Sequence, residues 1–148
     1  MHHRKFVDQL THERLHAAIQ AAEEKTSGEI RVLISHRRAP DAVAAAQVAF
    51  LRLGMQQTKH RNAVLLFVAP RSRTFAVIGD AAVHARCGDA FWQELAAAMT
   101  GYFKRGEFTA GLVHGIERAG ALLAEHFPRG AGDGNELPDD VVEDGPEA

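Results

Sequence analysis

The chain has 148 residues, of which 46% are hydrophobic and 24% charged, with a net charge of −2 at pH 7 and a single cysteine. That is enough apolar chain for one ordinary globular domain that needs neither disulfide nor structural metal, and an internal disulfide is excluded. The longest apolar run, AVLLFVA at 63–69, is far too short to span a bilayer, and the polar opening MHHRKFVDQLTHERLH lacks a signal-peptide core, so a cytoplasmic protein is expected.

Residues 1–10 read as an N-terminal arm. A first helix is predicted from Thr11, a good N-cap residue, with Leu10 and Leu15 spaced for a hydrophobic staple. Leu15, Ala18, Ile19 and Ala22 make one apolar stripe, and Thr26-Ser27-Gly28 ends it. Residues 29–34 (EIRVLI) have the β-branched content of a strand. Pro40 and Asp41 open a second helix that runs to about Gly54, with Val43, Ala46, Phe50 and Leu53 on one face. After a polar loop at 57–62, the apolar run 63–69 has the pattern of a strand buried on both faces. Pro70-Arg71-Ser72-Arg73 turns the chain, and Thr74–Ile78 returns antiparallel to it. The connection between the first two strands is long enough for a right-handed parallel crossover, so a small mixed sheet is expected.

Two long helices follow. Trp92, Leu95, Met99, Tyr102 and Phe103 share one face of the first, and Gly106 sits at its C-cap. Leu112, Ile116, Ala119 and Leu123 form the stripe of the second, which Phe127-Pro128 ends; Gly111 and Gly115 are expected to bring it close to the sheet. Helices before, between and after the strands cover both faces, which makes a three-layer α/β/α sandwich over residues 11–128. Residues 129–148 carry one Arg and seven acidic side chains, net −6 of the total −2, and leave +4 on the rest. Rich in Gly, Pro and acid, this tail is predicted to be disordered.

The opening TSGEIRVLI, the hairpin RNAVLLFVAPRSRTFAVIGD and the block YFKRGEFTAGLVHGIERAG together resemble the TPM domain, especially its short bacterial members. The family takes its name from a thylakoid-lumen protein, a photosystem-associated protein and a membrane modulator. The resemblance covers roughly Thr11 to Pro128. It implies an α/β/α fold and a protein described variously as a phosphatase, a divalent-cation (calcium) binder or an assembly and regulatory factor. The chain departs from the common family pattern at Asn62-Ala63, where Asn-Gly is frequent, and after β-hairpin residue Gly79, where residues 80–88 replace a glycine-rich loop.

Strand direction sorts the polar residues into two groups. The carboxyl end of the sheet collects His36, Arg37, Arg38, Arg71 and Arg73 beside the start of the second helix, a natural anion site. Five solvated basic side chains on turns are the bland alternative. The opposite end gathers Glu29, Asn62 and Asp80, joined by Asp89 if the loop after Asp80 folds back. Carboxylate and amide oxygens of this kind suit Ca2+ or Mg2+, and a metal there could polarise a phosphoryl group and activate water. No D-x-D-x-D-G loop is present, and Asp80 could instead cap a turn. His84 and Cys87 lack a second pair to complete a zinc site, and neither G-x-S-x-G nor a P-loop occurs.

The modest basic excess does not follow one helix, so no nucleic-acid partner is expected, and no basic amphipathic helix points to a membrane surface. The expected function is a non-enzymatic binding module, with a divalent cation in the Asn62 and Asp80 loops and a protein or small phosphate-containing ligand as partner. The alternative is a low-turnover, metal-assisted phosphatase acting on a phosphomonoester.

Overall fold

Helix α1 (Gln9–Glu23) begins two residues before the expected Thr11, whose hydroxyl bonds that of Thr109 at 3.1 Å instead of capping the helix. The computed structural model describes residues 9–130 and 141–144; the expected N-terminal arm therefore lies almost wholly outside the described residues. Strand β1 (Glu29–Ser35) leads to α2 (Ala42–Arg52), where the Asp41 carboxylate accepts a hydrogen bond from the Ala44 amide at 3.1 Å as an N-cap. Strands β2 (Ala63–Ala69) and β3 (Thr74–Gly79) form the predicted hairpin. Helices α3 (Ala81–Lys104) and α4 (Phe108–His126) follow, and β4 (Val141–Asp144) completes the sheet.

The strand order is β3-β2-β1-β4, with β1 parallel to both β2 and β4 and β2 antiparallel to β3. Alternate strand residues face opposite sides. Ile30, Val32 and Ile34 join Leu66, Met99, Ile116 and Leu123 under α1, α3 and α4. Leu33, Leu65 and Phe67 pack with Ala46, Phe50 and Met55 beneath α2. Every residue of β1 and β2 is buried, as expected of strands covered on both faces. The fold is the expected α/β/α sandwich, with three helices on one face and one on the other.

The glycines of α4 divide their work. A Cβ at Gly115 would lie 2.9 Å from Leu66 Cδ2 and from Met99 Sδ, so this residue does set the helix against the sheet. A Cβ at Gly111 would instead meet Phe103 at 2.8 Å and Tyr102 at 2.9 Å, so its close approach is to α3 and not to the sheet.

Three sequence expectations are corrected. Residues after Asp80 are not a loop: Asp80 caps α3, the Ala-rich start propagates it, and Gly88, at φ 73°, marks a break inside the helix. Val43 is not on the buried face of α2; it is 52% exposed, and Ala42, Ala46, Ala49 and Phe50 make the contact instead. Within the tail read as disordered, residues 141–144 form a strand. Val141 reaches the three-helix core, Val142 reaches the α2 core, and the backbone satisfies the open hydrogen-bonding edge of β1. The remaining tail residues, 131–140 and 145–148, lie outside the described residues. Among the described residues no helix is long and apolar enough to cross a membrane.

Candidate functional site

At the carboxyl end of the sheet two loops are tied together. The Ala39 amide donates to Ser72 Oγ at 2.7 Å, and Thr74 Oγ1 donates to the Ala39 carbonyl at 2.6 Å. These bonds place Arg37 and Arg38 on the same surface as Arg71 and Arg73, and all four are exposed. None of the four guanidinium groups makes a hydrogen bond or ion pair among the described residues. Arg73 holds a φ of 55°, an uncommon backbone for a residue with a side chain.

His36, the fifth residue expected here, does not join them. It is 6% exposed, and its Nε2 lies 2.7 Å from Glu143 Oε1; His12 Nε2 lies 2.7 Å from the other carboxylate oxygen. The edge strand β4 supplies that carboxylate, so the anion beside His36 is the protein's own. Burial alone would push the Glu143 carboxyl up. The hydrogen bonds from His36 and His12, and then their charge, outweigh it, and the group ends below its ordinary value. Next to it, Asp144 accepts from Arg52 Nη2 at 2.6 Å.

The amino end of the sheet does bring Glu29, Asn62 and Asp80 together. Glu29 is paired with Ala63 across the parallel ladder, and the Asp80 amide donates to the Ala63 carbonyl at 2.9 Å. Asn62 is completely buried; its Nδ2 donates to Ser27 Oγ at 3.1 Å, and its Oδ1 has no partner among the described residues. Asp80 is fully engaged. Arg61 Nε donates to Oδ2 at 2.8 Å and Nη2 to Oδ1 at 2.9 Å, while the Ala81 amide donates to Oδ1 at 2.7 Å. Arg61 has a φ of 52°, and its hydrogen bonds to Asp80, and then the carboxylate charge, hold the guanidinium more firmly protonated.

Asp89 is not part of this group. The helical segment that begins at Ala81 carries it roughly two turns away from Asp80, and it is exposed. Among the described residues no cluster of three or more His, Cys, Asp or Glu is arranged to hold a metal. Burial, and then the charge of Glu125, push the Cys87 thiol up, which favours its less reactive protonated form. The His84 ring lies against Trp92, with centroids 5.8 Å apart.

Sequence reasoning missed Arg61, Ser27, His12 and Glu143. The cue for Arg61 was present: once Asp80 is taken as an N-cap, a cation one residue from Asn62 is its natural partner. Nothing in the sequence paired His12 with a residue 131 positions away.

A family profile described as TPM domain matches residues 2–122. The solved structure of the BA42 protein from the psychrophilic bacterium Bizionia argentinensis is similar, with a TM-score of 0.86 and 37% identity over 94% of this chain and 96% of that one. Two N-terminal domains share the fold at lower identity. One is from a P. gingivalis protein (TM-score 0.59, 17% identity, 82% of this chain and 78% of that one). The other is from the cg2496 protein of Corynebacterium glutamicum (TM-score 0.58, 16% identity, 96% and 84%). No curated protein sequence matches the chain.

Proposed function

Because the chain belongs to the TPM-domain family, with the family profile spanning residues 2–122, we propose that it is a non-catalytic binding module that takes an anionic, phosphate- or carboxylate-bearing partner on its arginine end. The observation that carries this reading is the set of four guanidinium groups, without a partner among the described residues, on two loops clamped through Ala39. Arginine forks recognise phosphate and carboxylate bidentately, and clamped loops lose little freedom on binding. Hydrolysis is less well supported, since the Asp80 carboxylate that would serve it is already engaged by Arg61 and the Ala81 amide.

The test is a titration of the full chain with inorganic phosphate, followed by amide shifts, alongside an aryl phosphate assay on the same sample. The expected result is shifts confined to residues 37–39 and 71–74 with no turnover. Turnover that disappears in Asp80→Ala, with the fold intact, would replace this reading with a phosphatase. Absence of shifts at the arginine end would discard it.

A second reading rests on the buried Oδ1 of Asn62, which has no partner among the described residues. If the Arg61 side chain, 52% exposed, swings off Asp80, the Asn62 oxygen and the freed carboxylate become hard ligands for Ca2+ or Mg2+. Calcium titration should then shift residues 60–63 and 79–82; no response there would remove the cation from the account.

A further inference from the structure

Strand β4 joins the sheet as a short edge element. It contributes four residues, runs parallel to β1 with Val32 opposite Val141 and Ser35 opposite Asp144, and none of the four is fully buried. Its hold on the domain has three separate parts. The backbone pairs with β1 and ends on the His36 amide, which donates to the Asp144 carbonyl at 2.7 Å. Val141 and Val142 enter apolar clusters on opposite faces of the sheet. The two carboxylates are then read by different elements: Glu143 by His12 of α1 and by His36, and Asp144 by Arg52 of α2.

Backbone pairing along an open sheet edge, with alternate side chains placed in pockets on either face, is how domains recognise extended peptides by strand addition. Here the slot has a side-chain specification, two apolar residues followed by two acids, and the basic readers stand on three parts of the body distant in sequence. We propose that the edge of β1 is a docking slot for an extended segment of another protein, of the pattern apolar-apolar-acid-acid, and that β4 occupies it in cis as a built-in competitor. The partner binds by displacing β4. The slot's carboxyl end adjoins the arginine end at Arg37, but its readers are His12, His36 and Arg52 and not the four arginines, so the proposal does not rest on what binds there.

A second copy of the chain is the less suitable occupant. Exchange of β4 between copies reproduces the same contacts and loses the tether, which is worth an effective concentration of about millimolar for a short linker. A foreign segment, which also lacks the tether, displaces β4 only by making better contacts than VVED does.

The experiment uses the full chain. In V141D/V142D, carboxylates replace both apolar anchors and the cis strand leaves the slot. A synthetic peptide of residues 139–146 (DDVVEDGP) should then shift the amides of residues 31–36 and the His12 ring, with affinity about tenfold or more above that for the unsubstituted chain. A peptide carrying Gln and Asn in place of Glu143 and Asp144 should bind about tenfold more weakly. A folded V141D/V142D chain that gives no shifts with millimolar peptide overturns the proposal, as does equal binding by both chains. If the variant does not fold, hydrogen exchange on the unsubstituted chain decides. The amides of 141–144 should exchange at least about tenfold faster than those of 65–67, because displacement requires local opening. Equal protection overturns the proposal, and so does a concentration-dependent dimer with exchanged β4 strands.

Discussion

At the amino end of the sheet, Asp80 accepts two hydrogen bonds from Arg61 and a third from the first amide of α3. At the carboxyl end, Arg37, Arg38, Arg71 and Arg73 stand on clamped loops with no acceptor among the described residues. The amino end is built from the segments that flank the β2–β3 hairpin, and the carboxyl end from the hairpin's own turn and the loop after β1. The first uses its charge to hold a helix start and a left-handed Arg61 in place, and the second leaves its charge without an acceptor among the described residues. A charge with every acceptor satisfied is a structural device, whereas a cluster of exposed like charges on a rigid surface is maintained at some electrostatic cost and is available to a ligand.

The sharpest way to break this contrast is Asp80→Ala. Loss of the α3 N-cap should lower stability by about 1–2 kcal/mol, read from the urea midpoint. An unchanged midpoint would move Asp80 from the structural residues to the ligand-binding ones. At the other end, Arg37→Ser with Arg71→Ser should leave stability within about 0.5 kcal/mol while weakening phosphate binding by about tenfold, seen in the same amide titration. A large loss of stability would show that these arginines also do structural work.

Arg61→Gly is a subtler probe. Glycine removes the left-handed strain and also the pair with Asp80, so the unfolding midpoint should move little. The unpaired carboxylate beside Asn62 should then take Ca2+ more tightly than in the parent chain, as calorimetry would register. Equal affinity would remove Arg61 as the group that keeps a cation out.

The smallest effect concerns β4. The Glu143 carboxyl lies below its ordinary value in the folded chain, so its contribution is fully present above the ordinary glutamate range and is lost as pH falls through the lowered value. The amides of 141–144 should therefore lose protection in acid before those of the β2–β3 hairpin do. Simultaneous loss would mean that Glu143 does not govern the docking of β4.

Much of the fold was legible from local pattern. The continuous apolar run at 63–69 required cover on two faces, Asp41 announced the start of α2, and the stripe Leu112, Ile116, Ala119 and Leu123 set the buried side of α4. The errors fell where a local rule met a long-range alternative. Two valines in an acid-rich tail cannot make a strand alone, but the open edge of β1 supplies the missing partner. Residues 80–88 look like a loop until Asp80 is seen to cap them.

Of the candidate sites, the sequence by itself determined that Glu29, Asn62 and Asp80 would share one end of the sheet and the four arginines the other, because the directions of β1, β2 and β3 follow from hydrophobic period and connection length; it did not place Asp89 or the edge strand β4. It could not determine which charges would be spent. His36 belongs to the carboxyl end by its place in the chain, yet it is withdrawn from that end by a carboxylate 107 residues later, and Asp80 is neutralised by Arg61 across 19. Backbone pattern is a property of neighbouring residues. Charge pairing depends on distance and burial in space, and only the tertiary structure sets those.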